Sequence, residues 1–313
     1  MSKIPTSLIL GQLLSLSLAS CSFTTSLLTR NGVNAPITQV TLSYFLIAVI
    51  YGCAQLYRWQ NLQLAWYWYL LLALVESQGT YLVTKAYQFS SITSVMLLDC
   101  FTIPWVVILT WFVMGTRYTL WQLFGAVVCV LGLGLVFLSD TEPEAGGGSK
   151  PLLGDILVLY GTVLYAISNV GEEYCVKKRN WTEMLSMLGI FGFIVSATEL
   201  SVLEVKTLEN VKWSWNIMLY FAAYAFSNFT FHTLAPFVLK MSGSTMFNLS
   251  LLTSDMWVVA IRIFLYHQKV NWLYFLAFLV VAVGLIIYSS KGNETESASS
   301  LAEENVHLIP DDP

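Results

Sequence analysis

The sequence has little charge. Asp, Glu, Lys and Arg make up 11% of its 313 residues, whereas about 25% is usual in a soluble domain. Many of the acidic residues are also confined to one short loop near residues 140–144 and to the end of the chain. Because 56% of the residues are hydrophobic, the rest of the chain is too apolar for water. A soluble protein is therefore excluded, and we predict an all-α protein solvated by the lipid bilayer.

The signals of several other protein classes are absent. The net charge of −4 gives no cationic surface, so a nucleic-acid partner is excluded. The five cysteines have no CxxC spacing, which indicates small packing residues rather than a zinc site or a disulfide framework. No HExxH, Walker or Gly-x-Ser-x-Gly motif occurs, and the three histidines lie far apart, at His232, His267 and His307. We therefore expect no enzymatic activity and no cofactor.

Long hydrophobic runs are what the sequence does contain. A membrane-spanning helix needs about 20 mainly apolar residues. Ten segments meet this requirement and are numbered here as spans one to ten: 6–28, 37–57, 66–88, 91–114, 119–138, 153–176, 185–204, 215–238, 244–266 and 271–290. The first span also fits a bacterial lipoprotein signal ending in Leu18-Ala19-Ser20-Cys21, but the nine further spans favour a helix that stays in a bundle. Pro104 and Pro236 are predicted to interrupt spans four and eight, because each removes a backbone hydrogen bond.

A short linker divides the ten spans into two groups of five. Glu142-Pro143 and Gly146-Gly147-Gly148 end the helical pattern between spans five and six. Because five is odd, a duplicated unit would lie upside down relative to its copy, as in many secondary transporters. A few residues recur at one offset, such as Trp121 at Trp272, which supports a duplication. We therefore predict ten transmembrane helices in two inverted five-helix repeats, 1–140 and 152–290, with a linker at 141–151 and a disordered acidic tail at 291–313.

The basic residues between the spans indicate the orientation in the membrane. With the amino terminus in the cytoplasm, a majority of the Lys and Arg residues in short connections also lie in the cytoplasm. The Lys177-Lys178-Arg179 cluster after span six lies on that side, and the acidic loop at 140–144 lies on the other. Since ten is even, both termini are predicted to be cytoplasmic.

Three acidic residues lie inside the predicted spans, where a charge is costly. An ionisable side chain at the centre of a spanning helix costs about 2.5–3.5 kcal/mol, so it must face other helices or water. Glu76 and Asp255 lie near the middle of spans three and nine, and Asp99 lies in span four. On span nine, a spacing of seven residues puts Asn248, Asp255 and Arg262 along one stripe. These five residues are candidate contacts for a polar solute or its counter-charge.

Polar side chains with rings or amides form stripes on spans six and eight. Span six carries Tyr165, Asn169 and Glu173 on one side, and span eight carries Tyr224, Asn228 and His232. Phenol, amide and imidazole groups can bind a planar heterocycle by stacking and by hydrogen bonds to its edges. Each of these residues could equally hold two neighbouring helices together.

Three stretches of the sequence resemble a known transporter family. They are LGQLLSLSL at 10–18, KAYQFSSITSVMLLDCFTIPW at 85–105 and GDILVLYGTVLYAISNVGEEYCVKK at 154–178. These stretches resemble the nucleotide-sugar-transporter-like solute carriers of family 35, subfamily F, in the drug/metabolite transporter superfamily. The resemblance implies a ten-helix carrier with two inverted repeats, a central cavity and alternating access. It also implies a substrate among nucleotide sugars, or among purine-like nucleobases and nucleosides of the queuine and queuosine type.

The resemblance extends to individual residues. Seven positions match the family's pattern: Asp99, Tyr165, Asn169, Glu172, Glu173, Asn248 and Asp255. Two positions depart from it, because Gln78 stands near where the family often has a second acid, and His232 stands where a tyrosine is common. The departures concern the choice of substrate, whereas the carrier class does not depend on them.

The expected function is secondary transport of a small polar solute, foremost a nucleobase- or nucleoside-like heterocycle, by alternating access. The expected substrate contacts are Glu76, Asp99, Tyr165, Asn169, Tyr224, Asn228, His232, Asn248, Asp255 and Arg262. A nucleotide-sugar antiporter is an alternative, although a diphosphate needs several cationic groups and the spans supply only Arg262 and Lys85. A non-transporting membrane receptor or scaffold is a second alternative, opposed by the lack of a sizeable soluble domain. The sequence indicates no particular oligomeric state.

The tail from Gly292 carries a candidate sorting signal. Its polar, acidic composition predicts disorder. Within it, Glu304 followed by Leu308-Ile309 fits the acidic dileucine pattern that adaptor proteins of vesicle coats bind in cytoplasmic tails. An unfolded tail can place the two aliphatic side chains in apolar pockets and the acid against a basic patch. We therefore predict an endosomal, lysosomal, vacuolar or Golgi membrane, with the plasma membrane as the alternative.

Overall fold

The structure is a computed structural model that describes residues 3–58, 65–86, 89–90, 95, 98–139, 151–178, 180–266, 272 and 275–290. The predicted linker at 141–151, apart from its last residue, and the predicted tail at 291–313 lie outside the described residues. The sorting signal of Glu304, Leu308 and Ile309 lies outside them as well, and so do the side chains of Asp255 and Arg262. All secondary structure within the described ranges is helical, in agreement with the predicted all-α class.

The helices are numbered in chain order. They are α1 (Lys3–Arg30), α2 (Pro36–Arg58), α3 (Trp66–Ala86), α4 (Thr102–Met114), α5 (Leu120–Ser139), α6 (Pro151–Lys178), α7 (Trp181–Leu203), α8 (Val205–Glu209), α9 (Trp215–Leu251), α10 (Thr253–Tyr266) and α11 (Phe275–Ser290). Spans one, two, three, five, six, seven and ten each correspond to one helix with similar bounds. Span eight lies within the first part of α9 without a break, whereas spans four and nine each contain a turn.

Within the described ranges, four helical segments are long and apolar enough to cross a membrane, where the whole sequence predicts ten. They are Thr6–Arg30, Pro36–Gln55, Leu152–Lys178 and Trp181–Leu203. Three further apolar helices are shorter: Thr102–Met114, Leu120–Gly132 and Phe275–Ser290. The outer surfaces carry large hydrophobic side chains, such as Leu120 at 84% and Trp272 at 70% exposure. Such surfaces are expected where lipid rather than water surrounds the helices.

Span four is not one continuous helix. Its carboxyl-terminal part is α4, which has 13 residues, and Cys100 and Phe101 form a turn just before it. The N–H groups of Phe101 and Ile103 each bond a carbonyl three residues back, as in a tight turn. Pro104 lies in the first turn of α4, where a missing N–H costs nothing. Span four is therefore interrupted, but at Cys100 and Phe101 and not at Pro104, which stands in the first turn of the helix that follows.

Pro236 does not interrupt span eight, which corrects the prediction from sequence. Helix α9 continues through Pro236 and has its non-helical residue at Gly243, with φ 78° and ψ 172°. Pro236 lacks only the N–H that would bond the carbonyl of His232, and the flanking residues keep their helical conformation. Gly243 adopts a conformation that is essentially restricted to glycine, so the helix breaks there instead.

Span nine is also divided, by a single turn residue that follows Asn248 and precedes residues 255 and 262. Leu252 is a turn residue between α9 and α10. The carbonyl of Ser250 accepts hydrogen bonds from the hydroxyl groups of Ser15 and Thr253. Because these hydroxyl groups hydrogen-bond the carbonyl of Ser250, it does not need the backbone N–H partner that it would have in a continuous helix. Asn248 therefore lies on α9, whereas residues 255 and 262 lie on α10.

The long helices pack in antiparallel pairs with glycines at the points of closest approach. Helix α2 packs on α7, α3 on α6, α1 on the first part of α9, and α5 on α11. A Cβ atom at Gly189 would lie 2.7 Å from the backbone of Ala48, and one at Gly125 would lie 2.8 Å from the backbone of Tyr288. Small residues allow this close contact between helices in lipid. The five cysteines, all described, form no disulfide, and only Cys53 is exposed.

The start of α2 is capped by a distant carboxylate. Glu204, which lies between α7 and α8, accepts hydrogen bonds from the N–H groups of Ile37 and Thr38, each at 2.8 Å. It also accepts one from the Thr38 hydroxyl at 2.7 Å. Glu204 is buried, and the first N–H groups of a helix have no partner within the helix itself. Glu204 therefore satisfies backbone groups that would otherwise be buried without a partner.

Candidate solute-binding cavity

A cavity of about 380 Å³ lies between the helices of the described structure. Its walls come from α1, α2, α3, α6 and α9, from the start of α4 with the segment that leads into it, and from the start of α10. A volume of this size is within the range of pockets that bind small molecules.

Eight of the ten residues predicted to contact substrate line this one cavity. They are Glu76, Asp99, Tyr165, Asn169, Tyr224, Asn228, His232 and Asn248. The remaining two, Asp255 and Arg262, have side chains outside the described part of the structure. The structure thus brings together side chains that are up to 172 positions apart, Glu76 and Asn248 being the extremes.

Helical spacing explains why these side chains face one space. Tyr165 and Asn169 are four residues apart on α6, as are Glu76 and Thr80 on α3. Residues four apart lie on the same face of an α-helix. On α9 the same spacing aligns Tyr224, Asn228 and His232, and Asn228 and His232 are buried.

On one wall of the cavity, the carboxylate of Glu76 lies near the imidazole of His232. Nε2 of His232 lies 3.9 Å from Oε1 of Glu76, which is too long for a hydrogen bond. The other carboxylate oxygen, Oε2, is buried and has no hydrogen-bond donor among the described residues. A buried acceptor without a donor is costly, so this oxygen is suited to receive a donor from a solute or a proton.

A second wall is formed by a chain of amides. Nδ2 of Asn169 donates to Oδ1 of Asn248 at 3.0 Å, and Nδ2 of Asn248 donates to the carbonyl of Ser244 at 2.7 Å. The hydroxyl of Tyr165 donates to Oγ1 of Thr80 at 3.3 Å. These bonds connect α6 to α9 and to α3. The same residues therefore hold helices together and line the cavity.

Two adjacent acids of α6 point in different directions. Glu172 lines the cavity, whereas Glu173 bonds the backbone N–H of Ser244 at 2.7 Å and Lys177 Nζ at 2.7 Å. The prediction that Glu173 shares a face with Tyr165 and Asn169 is therefore wrong with respect to the cavity. Its carboxylate is held by the end of α6 and by the helix break at Gly243.

Several cavity residues were not identified from the residues alone. Glu172 entered only through the family resemblance, and the rings of Tyr44, Phe231 and Phe247 were not predicted. Aromatic residues make up 14% of the chain, so a single ring in a span carries no distinguishing signal. Glu172 is a second acid inside a span, and its cost in lipid was the signal that could have identified it.

The electrostatic character of the cavity is acidic. The side chains that line it in the described structure include Glu76, Asp99 and Glu172, and they include no lysine or arginine. Carboxylates accept hydrogen bonds from amino groups and attract cations, and they repel phosphates. A bundle of apolar helices around such a polar cavity is the architecture of a membrane transporter.

Comparison with known proteins agrees with this class. A family model described as "SLC35F: Solute carrier family 35" matches residues 1–290. The chain is 38% identical over 295 residues to Solute carrier family 35 member F2 of Mus musculus, covering 91% of this chain and 79% of that protein. The match to the protein of the same name from Xenopus tropicalis is 35% identical over 297 residues, with 91% and 76% covered. The chain belongs to solute carrier family 35.

Two further comparisons are consistent with this membership. An uncharacterised solute carrier family 35 member of Schizosaccharomyces pombe is 32% identical over 291 residues, covering 89% of this chain and 56% of that protein. A solved crystal structure superposes with a TM-score of 0.71 at 15% identity, covering 91% of this chain and 98% of that chain. At this low identity the superposition concerns the fold alone. The protein is thus a multi-pass transmembrane solute carrier, and its family indicates transport rather than catalysis.

Proposed function

We propose that this solute carrier transports a small nucleobase- or nucleoside-like heterocycle of the queuine type by alternating access. The observation that carries the proposal is the chemistry of the described cavity lining, which offers carboxylates, amides and phenols but no lysine or arginine. A heterocycle with N–H and amino groups can donate to Glu76 and Asp99. Its carbonyl and ring nitrogen atoms can accept from the amide of Asn228, while Phe231 and Phe247 supply apolar ring surfaces.

The same observation disfavours a nucleotide sugar. A diphosphate carries at least two negative charges, and protein sites that bind it supply lysine, arginine or a metal ion. Three carboxyl groups line the described cavity instead. Placing a diphosphate there would bring like charges together in a site of low dielectric constant.

The proposed mechanism uses two inverted five-helix repeats, at 1–140 and 152–290, and the pattern of helix contacts supports it. If each span is exchanged for the span five positions away, the contact of α3 with α6 becomes the contact of α1 with the first part of α9. Likewise, the contact of α4 with α6 becomes the contact of α1 with α10. Repeats related in this way can rock against each other around a site at their interface.

Uptake into proteoliposomes tests the proposed function. We expect saturable uptake of labelled purine-like nucleobases or nucleosides, and no uptake or exchange of labelled nucleotide sugars. Asn228→Ala should reduce uptake by about tenfold or more, because a polar group in the cavity that loses its partner costs about 1–3 kcal/mol. Asn216→Ala is the matched control, since Asn216 lies on the same helix but is exposed.

Each result has a defined meaning for the proposal. Exchange of nucleotide sugars without uptake of nucleobases would overturn the substrate class. Failure of every solute in protein that is shown to be folded would favour a receptor or scaffold role. An equal loss in both variants would exclude a specific role of Asn228.

We further propose that both termini are cytoplasmic and that the protein resides in an endosomal, lysosomal, vacuolar or Golgi membrane. Lys177 and Lys178, at the exposed end of α6, support this orientation. The acidic dileucine pattern supports the compartment, and adaptor proteins of vesicle coats are the partners it implies.

A further inference from the structure

The cavity is closed toward one end of the helix bundle. On α6 its lining ends at Glu172, and on the second part of α9 it begins at Phe247. The residues between these two positions and the end of the bundle are buried: Cys175, Val176, Ser244, Thr245 and Met246. Lys177, in the last turn of α6, marks this end of the bundle, which is called the Lys177 end below.

The cavity opens toward the opposite end. Ser22 of α1 is exposed, whereas the other residues that line the cavity in the described structure are buried or half-buried. Helix α1 starts at the Lys177 end, because the hydroxyl of Ser7 is bonded to that of Ser242, next to the break at Gly243. Ser22 lies in the other half of α1, toward its connection with α2. A solute can therefore enter from that side, while the Lys177 end is shut.

Two separate hydrophobic clusters meet at the Lys177 end. One contains Cys175 and Val176 of α6 together with residues of α2, α3 and α7. The other contains Met246 and Leu249 of the second part of α9 together with residues of α4, α5, α10 and α11. Closely packed groups of this kind move as units, so they separate most easily along the polar contacts between them.

Glu173 supplies such a polar contact. Its Oε2 atom accepts a hydrogen bond of 2.7 Å from the backbone N–H of Ser244, and its Oε1 atom lies 2.7 Å from Nζ of Lys177. The non-helical conformation of Gly243 makes Ser244 the start of a new helical segment, whose first N–H groups have no partner within the helix. Glu173 therefore joins α6 to the second part of α9, across the two clusters.

The start of this second part is also tied to α4 and α5. The hydroxyl groups of Thr245 and Tyr118 are hydrogen-bonded at 2.7 Å, and Tyr118 is bonded in turn to Thr110 of α4 at 2.6 Å. Tyr118 lies in the connection between α4 and α5. If the bond to Glu173 breaks, these contacts keep the segment with α4 and α5 rather than with α6.

Resting on the proposed alternating access, we propose that Glu173 is a latch that holds the cavity closed at the Lys177 end. It is a positioning residue, because it does not line the cavity. Release of Ser244 lets the second part of α9 rotate about Gly243 and move away from the end of α6, which opens the cavity to the Lys177 side. Gly243 is suited to act as the hinge, since a residue without a Cβ changes its backbone angles most freely.

One turn of helix connects the latch to the cavity. Asn248 lines the cavity, and its Nδ2 atom donates to the carbonyl of Ser244 at 2.7 Å. The backbone N–H of the same serine is the group that Glu173 binds. The turn that can contact a solute is therefore the turn that the latch holds.

Distances between spin labels across the Lys177 end test the latch. Lys178→Cys places one label at the exposed end of α6, and Leu120→Cys places the other at the exposed start of α5, two residues after Tyr118. Cys53→Ser removes the exposed native cysteine. In lipid nanodiscs without solute, we expect pulsed electron paramagnetic resonance to show mainly one short distance between the labels.

Three variants report on Glu173. Glu173→Ala removes both of its bonds, so the ratio of long to short distances should rise by about tenfold, as expected for the loss of a charge-assisted hydrogen bond. Glu173→Gln keeps an oxygen that can accept from Ser244 but loses the charge that faces Lys177, so its ratio should be intermediate. Glu199→Ala is the matched control and should leave the ratio unchanged, because Glu199 joins α3 to α7 within one cluster.

The ratios of the variants decide on the latch. An unchanged ratio in both Glu173 variants would overturn it. An equal rise in Glu199→Ala would also overturn it, because the loss of any carboxylate between helices would then loosen the bundle. If Glu173→Ala does not fold, the ratio in Glu173→Gln decides alone.

The distance measurement uses no solute, so it separates the latch from the proposed function. A raised ratio in the Glu173 variants, together with no uptake of any tested nucleobase or nucleoside, would overturn the proposed substrate class and support the latch. Uptake of nucleobases by the unmodified protein, together with an unchanged ratio in the Glu173 variants, would overturn the latch and leave the proposed function intact.

Discussion

Replacement of Gly243 by alanine tests the helix break that separates the two parts of α9. With φ 78° and ψ 172°, Gly243 lies in a backbone region that side chains rarely enter, at a cost of about 1–3 kcal/mol. An added Cβ would also lie 2.9 Å from Oε1 of Glu173. That carboxylate cannot move away freely, since it is held by Ser244 and Lys177 in charge-assisted bonds of about 1.5–3 kcal/mol. We therefore expect Gly243→Ala to destabilise the protein by about 3–6 kcal/mol.

Gly115→Ala is the matched control. Gly115 also has a positive φ of 67°, but its ψ of 17° is left-handed helical, and no atom lies within 4 Å of the position of an added Cβ. The expected cost is only about 1–2 kcal/mol. A further variant, Gly243→Ala in a Glu173→Ala background, removes the contact and leaves the backbone cost. The penalty of Gly243→Ala should then fall to about 1–3 kcal/mol.

Unfolding in detergent, followed by the fluorescence of the 11 tryptophans, measures these differences. We expect the free energy of unfolding to be highest in the unmodified protein, lower in Gly115→Ala and lowest in Gly243→Ala. If Gly243→Ala costs no more than Gly115→Ala, residue 243 is not held in the glycine-only conformation. If the penalty does not change in the Glu173→Ala background, the contact with the carboxylate is not part of the cost.

Three further predictions concern residues for which the sequence provides the argument. Asp255→Asn should reduce uptake by about tenfold or more, because it removes a charge-assisted hydrogen bond of about 1.5–3 kcal/mol. Unchanged uptake at every pH would mean that Asp255 has a structural role only. Expression in a eukaryotic host should give no glycosidase-sensitive mass, because the sequons at Asn180 and Asn293 are predicted to be cytoplasmic, whereas a glycan on Asn293 would reverse the orientation. Replacing Leu308 and Ile309 with alanine should move the protein toward the cell surface, and an unchanged distribution by microscopy would mean that the motif is coincidental.

The sequence predicted most of the helices, and eight of its ten predicted solute contacts line the cavity. Hydropathy located the helices because a chain that crosses lipid must form long apolar helices, in which all backbone hydrogen bonds are made within the segment. The cavity residues were predictable for a related reason. A carboxylate such as Glu76 or an amide such as Asn228 is costly in lipid, so its position inside a span indicates a polar space.

The turns within the spans and the contacts between helices were not predictable in the same way. The break at Gly243 falls in the predicted connection between spans eight and nine, but hydropathy does not distinguish a helix from a helix with a turn, so the turn at Leu252 was missed. Pro236 gave a false signal, because a proline can be accommodated inside a helix when only one backbone bond is lost. Local spacing shows that Glu172 and Glu173 point in different directions, but which of them faces the cavity depends on the path of α9.

The capping of α2 by Glu204 has a consequence for the synthesis of the protein. Translation proceeds from the amino terminus, so α2 enters the bilayer well before residue 204 has been made. During that interval the N–H groups of Ile37 and Thr38 must stay hydrated at the membrane surface or be shielded by the insertion machinery. Helix α2 gains this cap only after α7 and residue 204 have followed it through the ribosome. The first half of the chain therefore lacks a side chain that completes one of its own helices.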